Sequence, residues 1–257
     1  MEDAAERIAL GFVDAERKRR QKVVGAEVIE IDGLVLMLSN LPDPQLNGVF
    51  AEREPSDAAA AVAAAEEEYR RRRVAFGIDL QAGRHPSVDV AVRGAKLERI
   101  IERPGMAVDN AVLADSDVPD GIRIARVTDD AGARALVEVG VEAFGDDPEV
   151  GAAFYGVGAY GIEGGSTFVA WEGDEPVAIS GSYFHEGATG VLGVGVVPRA
   201  RRRGIGAAMT VVAARAFDRA DMAWLHPSPM AERMYERLGF RTVCDWEVWI
   251  RSASRDA

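Results

Sequence analysis

The residues with the most evident chemistry lie in one stretch, Val194-Gly195-Val196-Val197-Pro198-Arg199-Ala200-Arg201-Arg202-Arg203-Gly204-Ile205-Gly206-Ala207-Ala208. Four arginines and two glycines follow an apolar run that ends at a proline. That set suits an anion. The first N–H groups of a helix lack carbonyl acceptors, and the aligned peptide dipoles place about half a positive charge beside them. Gly204 and Gly206 carry no Cβ, so a phosphate can approach the backbone closely. Any of the guanidinium groups can pair with it. The flanks say what presents these groups. Val194 to Val197 reads as the end of a buried strand. Ile205, Ala208, Met209, Val212, Ala213 and Ala216 recur at the spacing of a helix with one buried face. The stretch is therefore a strand, a tight glycine loop and a helix N-terminus.

Two familiar phosphate loops are excluded. There is no Gly-x-x-x-x-Gly-Lys-Ser/Thr, and Gly193-x-Gly195 runs into Val196, Val197 and Pro198 instead of a dinucleotide fingerprint. A second stretch, Ser228-Pro229-Met230-Ala231-Glu232-Arg233-Met234-Tyr235-Glu236-Arg237-Leu238-Gly239-Phe240, predicts a short helix. Ser228 suits its N-cap and Pro229 its first position. Ala231, Met234, Tyr235 and Leu238 share one face, and Gly239 suits a left-handed C-terminal cap.

Together the two stretches resemble motifs of the GNAT acetyltransferase superfamily. Arg201-Arg202-Arg203-Gly204-Ile205-Gly206 is similar to its Gln/Arg-x-x-Gly-x-Gly/Ala, preceded by a strand ending Val196-Val197-Pro198. The later helix, with Tyr235 and its Gly239-Phe240 end, is similar to the family's tyrosine helix. The resemblance implies acetyl-CoA as co-substrate, without a metal. Its pyrophosphate would lie on Arg201, Arg202, Arg203, Gly204, Ile205, Gly206 and Ala207, and its pantetheine arm and acetyl carbonyl on Val196 and Val197. Ser228 stands where the family often has asparagine and offers only a shorter side chain. Tyr235 matches the general acid: a phenol near pKa 10 stays protonated and can donate to a leaving thiolate. The implied reaction is N-acetylation of a primary amine, on a small molecule or a peptide, by direct attack in a ternary complex. The alternative is a catalytically silent acyl-CoA-binding regulator of the same fold. No general base is legible. His185, Glu186 and His226 stand near strand ends, and each reads first as a structural residue. Cys244 reads as a small buried hydrophobe, and Trp246 and Trp249 as core.

Composition narrows the partners. With 257 residues there is room for two domains, and a net charge of −12 disfavours nucleic acid. No apolar run approaches the roughly 18 residues needed to span a bilayer. The acidic start Met1-Glu2-Asp3 lacks the basic-then-apolar order of a signal peptide, so a cytoplasmic location without membrane attachment is expected. One cysteine excludes an internal disulfide, and the three histidines, His85, His185 and His226, show no metal-ligand spacing. A homodimer stays open.

The elements give an α/β chain with mixed sheets. Asp3 to Arg20 reads as a helix. Two strands follow, joined at Asp32-Gly33, then a short strand near Gly48. A long helix opens at Pro55-Ser56, with Glu66–Arg70, Glu67–Arg71 and Glu68–Arg72 spaced i, i+4. The second part reads β, α, α, β, β, β, α, β, α, β from Ile122 onward, with Thr128 as a cap and a stripe of Ala133, Leu136, Val137, Gly140, Val141 and Phe144. That order matches the GNAT fold. The first part has a similar order, β, β, β, α, β, α, β, which suggests a duplication. Its counterpart of the phosphate loop reads Ala51-Glu52-Arg53-Glu54-Pro55-Ser56-Asp57, with three carboxylates and no glycine. The expectation is a degenerate GNAT-like domain over 1–107, a linker over 108–120 and a complete GNAT domain over 121–257. The degenerate half would not bind CoA by that route and would help to shape the acceptor cleft.

Overall fold

The computed structural model describes residues 3–251 apart from 24, 40, 42, 43 and 157–160. In chain order the first elements are α1 (Ala4–Arg20), β1 (Glu27–Ile31), β2 (Leu34–Leu38), β3 (Gly48–Ala51), α2 (Ala58–Arg72), β4 (Phe76–Gln81), α3 (Pro86–Gly94) and β5 (Glu98–Asp109). Then come β6 (Ile122–Arg126), α4 (Asp130–Phe144), α5 (Pro148–Tyr155), β7 (Gly165–Glu172), β8 (Glu175–His185) and β9 (Ala188–Val196). The last are α6 (Ile205–Ala214), β10 (Met222–Leu225), α7 (Glu232–Arg237) and β11 (Arg241–Arg251). The order is the expected one in both parts.

The chain divides into two compact units, but not into contiguous halves. One unit is Met1–Ala15 with Gly105–Val243; the other is Glu16–Pro104 with Cys244–Ala257. Each unit therefore takes a terminal piece of the chain. The stretch expected as a linker starts as strand, since β5 runs to Asp109, and loses regular structure over 113–119.

In the unit around Glu16–Pro104, β1 and β2 form a hairpin whose turn residues Asp32 and Gly33 both have positive φ, 40° and 88°. This is the twist-matched turn that an Asp-Gly pair favours. β2 pairs antiparallel with β3, β3 parallel with β4, and β4 antiparallel with β11. Alternation buries Leu34, Leu36 and Leu38 with Val49, Ile78 and Leu80 against the buried faces of α2 and α3. Tyr69 of α2 is buried there, and its hydroxyl donates to the carbonyls of Met37 (3.2 Å) and Gly48 (3.0 Å). The N-cap of α2 is Asp57, whose carboxylate accepts from the Ala60 N–H at 3.0 Å, two residues beyond the Pro55-Ser56 start. Of the three expected i, i+4 ion pairs only Glu68–Arg72 forms; Glu67 and Glu68 reach Arg70 and Arg71 at i+3, and Glu66 is drawn to Arg251.

In the other unit, β6, β7, β8 and β9 form an antiparallel meander, β9 pairs parallel with β10, and β10 antiparallel with β5. Its core joins Leu136 and Val139 of α4, Ile205 and Met209 of α6, Tyr235 and Leu238 of α7, and the sheet residues Val169, Ile179 and Leu225. Two expectations shift here. Asp129, not Thr128, caps α4, accepting from Gly132 N–H at 2.8 Å. The buried face of α4 is Gly132, Ala135, Leu136, Val139 and Gly140, while Phe144 is exposed. A helix of this apolarity allows two adjacent stripes, and the sheet beneath selects one.

Candidate active site

The site is built on β9. Along its length β9 pairs with β8, but its pairing with β10 covers only Ala188, Thr189 and Gly190. From Val191 onward β9 has no paired strand on that side, since β10 ends at Leu225, and its edge there is open. The β8–β9 register shifts between Ile179 and Gly181, opposite Gly193, whose φ is +57°. A bulge there bends the strand away from its neighbour. Val197 N–H donates to Val177 at 3.0 Å, so the alternation of an antiparallel ladder turns the N–H and C=O of Val196 toward the open edge. The Val196 carbonyl accepts from Arg201 Nε at 2.9 Å. Val196 thus faces the open edge with its N–H, whereas the N–H of Val197 is already bonded.

After a 3-10 turn over Pro198–Ala200 the chain passes Arg202 (φ 64°) and Gly204 (φ 85°) into α6. Gly204 needs its glycine for that backbone angle. The N–H groups of Ile205, Gly206 and Ala207 meet no acceptor among the described residues; the first bonded one is Ala208, to Gly204 at 3.1 Å. A Cβ at Gly206 would lie 3.5 Å from Met234 Sδ and 3.6 Å from Val196 Cγ2, an ordinary contact. Nothing inside the protein demands glycine there. The absent Cβ leaves room between Met234 and Val196 beside the unbonded amides.

The arginines are not equivalent. Arg203 makes a two-pronged bond to Glu172 at 2.6 and 3.0 Å, and Nη1 of Arg199 donates to both oxygens of Glu142 at 2.8 and 2.9 Å; these carboxylates push both guanidinium groups above their ordinary range. Arg201 braces the loop through the carbonyls of Val196 and Ala143. Arg202 is exposed and makes no hydrogen bond or ion pair to any described residue.

Tyr235 is 6% exposed, its ring edge-on to Phe240 with centroids 5.9 Å apart. Burial pushes its phenol up to about 12, partly offset by a hydrogen bond with Thr210. Thr210, buried on α6, donates back to the Gly206 carbonyl at 2.8 Å, so the tyrosine is tied to the helix whose N-terminus carries the open amides. Ser228 is exposed, and its side chain does not cap the helix. Its carbonyl accepts from Ala231 N–H at 2.9 Å, and α7 starts only at Glu232 after a turn. Gly239 does take positive φ, 103°, just past the end of α7.

The other singled-out residues are placed as follows. Trp246 is buried and donates to Asp79 at 3.3 Å; Trp249 lies under Arg93 and bonds Glu247 at 2.9 Å. Cys244 is half-buried. His226 packs edge-on against Phe12, centroids 4.9 Å apart. His185 meets Asp14, which sequence reasoning never considered because 171 residues separate them and helix periodicity marks Asp14 only as polar. In the counterpart of the loop in the unit around Glu16–Pro104, Glu52 pairs with Arg17 at 2.9 Å, Glu54 accepts from Ser87 N–H at 3.0 Å, and Asp57 caps α2. Asp32 then accepts from Ser56 N–H (2.9 Å), Ser56 Oγ (2.7 Å) and Asp57 N–H (3.1 Å). The protein's own carboxylate occupies the position that an anion would take ahead of α2. Among the described residues no group of three or more His, Cys, Asp or Glu is placed to hold a metal, and no helix is long and apolar enough to cross a membrane.

A parallel strand pair that ends at Gly190, with unbonded amides at the turn into α6, is the feature that invites comparison with known acetyltransferases. Residues 163–242 match the family model of an acetyltransferase (GNAT) domain. No curated protein matches the sequence. Among solved structures, a GCN5-related N-acetyltransferase from Kribbella flavida is similar with a TM-score of 0.77 and 21% identity, over 98% of this chain and 97% of that one. A GCN5-related N-acetyltransferase from Sphaerobacter thermophilus gives 0.61 and 17%, over 97% and 92%. A tandem GNAT protein from the clavulanic acid biosynthesis pathway gives 0.59 and 15%, over 87% and 79%. The fold is the GNAT fold, and these likenesses span both units.

Proposed function

We propose that the protein is an acetyl-CoA-dependent N-acetyltransferase that transfers acetyl directly to a primary amine, with one acetyl-CoA site per chain. The observation that carries this is the unpaired edge of β9 beyond Gly190 together with the unbonded N–H groups of Ile205, Gly206 and Ala207. The pyrophosphate sits on those amides, where the helix dipole is positive, and Arg202 adds the mobile charge. The pantetheine arm lies along that edge, and the Val196 N–H donates to the acetyl carbonyl, where charge develops during attack. The neutral amine nitrogen attacks that carbon and gives up one proton to solvent, the C–S bond breaks with its electrons on sulfur, and Tyr235 protonates the sulfur and regains its proton from solvent. Its phenol, raised to about 12, is protonated at any pH the protein works at. The unit around Glu16–Pro104 is read as degenerate, because Asp32 fills its anion position.

Release of free thiol from acetyl-CoA, followed with a thiol reagent over a panel of primary amines, tests the reading. Amine-dependent thiol release is expected. Tight acetyl-CoA binding with no release for any amine would favour the silent regulator.

A further inference from the structure

Gly195 and Val196 present opposite faces of β9. The Val196 side chain points to α6: its Cγ2 lies 3.6 Å from where a Cβ on Gly206 would stand, with Met234 beside it. On the other face, a Cβ on Gly195 would come 2.8 Å from Cε2 and 2.9 Å from Cζ of Phe144, and 3.1 Å from the Cβ of Ala143. An aromatic edge of α4 thus rests on Gly195 and requires a residue without a side chain there. The Val196 nitrogen is bonded to the Gly195 carbonyl carbon, so that ring edge lies within about 6.5 Å of it. Tyr155 of α5 stacks on Phe144, with centroids 5.6 Å and planes 13° apart. Tyr155 in turn lies against Gly140 of α4, where a Cβ would collide with its ring. With its edge on Gly195 and one face on Tyr155, Phe144 keeps its other face outside and is 44% exposed. The polar groups around it are engaged. Glu142 accepts from Arg199, Asp146 from the Tyr155 hydroxyl at 2.9 Å, Asp147 from the Glu149 N–H at 2.8 Å, and the Ala143 carbonyl from Arg201 at 2.8 Å.

We propose that the exposed face of Phe144 receives an apolar group of the acceptor, which makes the preferred acceptor a primary amine bearing an aryl or alkyl group and no carboxylate beside the nitrogen. The proposal rests on the acetyl-transfer reading above. An amine attacks a carbonyl carbon from above or below the carbonyl plane. Where the acetyl oxygen accepts from the Val196 N–H, the α6 side is taken by the Val196 side chain, Met234 and the co-substrate on its way to the amides of Ile205 to Ala207. The α4 side is left to the acceptor, and Phe144 is the ring beside that approach. An apolar group laid on it removes both surfaces from water. A carboxylate in the same place would stand among Glu142, Asp146 and Asp147, while the neighbouring Arg199 and Arg201 are committed to Glu142 and to the Val196 and Ala143 carbonyls. Phe144 therefore selects the acceptor and takes no part in proton transfer.

The test measures kcat/KM for 2-phenylethylamine, ethylamine and phenylalanine in the wild type, Phe144→Ala, Phe144→Gln and Phe144→Leu, with melting and acetyl-CoA affinity for each. The wild type should prefer 2-phenylethylamine to ethylamine and to phenylalanine by about tenfold or more, the scale on which a hydrophobic site discriminates. Phe144→Ala should lose most of the preference over ethylamine, with acetyl-CoA affinity unchanged. Phe144→Gln should do the same and is read in its place if the alanine variant does not fold. Phe144→Leu, which stays apolar, should keep part of it. A merely structural Phe144 would lower the rates together and leave their ratios alone, and that result overturns the proposal. So does a wild type that acetylates amines and favours ethylamine or phenylalanine. A wild type that binds no acetyl-CoA, or transfers acetyl to no amine, sinks the acetyl-transfer reading and this proposal with it.

Discussion

Gly204 and Gly206 are both glycine, for different reasons. Gly204 is held at φ 85°, a backbone angle that side chains resist. Gly206 has room for a Cβ beside Met234 and Val196, so no internal contact requires glycine there. Gly206→Glu should therefore fold normally and weaken acetyl-CoA binding at least tenfold, about 1.4 kcal/mol. Unchanged affinity by calorimetry would remove this turn from the site. Tyr235 carries the second residue-scale prediction. Tyr235→Phe keeps the ring on Phe240 and the core and removes only the hydroxyl that Thr210 contacts. Turnover should fall by roughly 10²-fold, with little change in acetyl-CoA affinity. Melting and kinetics on one preparation separate this from a packing defect: full turnover in the folded variant would mean that the thiolate finds its proton elsewhere.

At the scale of elements, α2 and α6 each follow a strand of a parallel pair, yet their N-termini differ. Ahead of α2, Asp32 satisfies the amides of Ser56 and Asp57; at α6 the amides of Ile205 to Ala207 stay open. A carboxylate already in place excludes a second anion by both sterics and charge. β4 carries a different electrostatic element. Asp79 lies 3.6 Å from Arg103, but burial outweighs that charge and raises the carboxyl to about 6. A carboxyl whose folded pKa exceeds its ordinary value stabilises the fold fully below that ordinary value, and the contribution is lost as pH rises through about 6. Melting temperatures between about pH 4 and 7.5 should therefore fall for the wild type relative to Asp79→Asn. Parallel curves for the two proteins would show that Asp79 ionises without penalty.

For the whole molecule the prediction is a stoichiometry. Two units of similar element order would suggest two co-substrate sites, but on the proposed reading the carboxylates around Ala51 to Asp57, and Asp32 accepting from Ser56 and Asp57, leave one. Titration should give one acetyl-CoA per chain; a value of two would contradict the reading of the unit around Glu16–Pro104 as degenerate. The net charge of −12 adds a salt effect. A polyanionic ligand is repelled at long range and attracted only at the turn, so moderate salt should affect its association less than it would for a basic protein.

Local chemistry was legible because it depends on neighbours in the chain. The strand, glycine turn and helix around Gly204, the Asp32-Gly33 hairpin, the Tyr235 face with Gly239 and the order of elements all follow from spacing and conformational preference. Where competing local signals were close in energy, the sequence misled: Ser228 against a later helix start, Thr128 against Asp129, and i, i+4 ion pairs against i+3 ones. Tertiary structure decided what depends on distant partners. It assigned Glu172 to Arg203 and left Arg202 without a partner among the described residues, and it set Asp32 before α2. It also placed Asp14 on His185 across 171 residues. Charge pairing and burial act through space, and a periodic pattern records only that a face is polar or apolar, not which group it will meet.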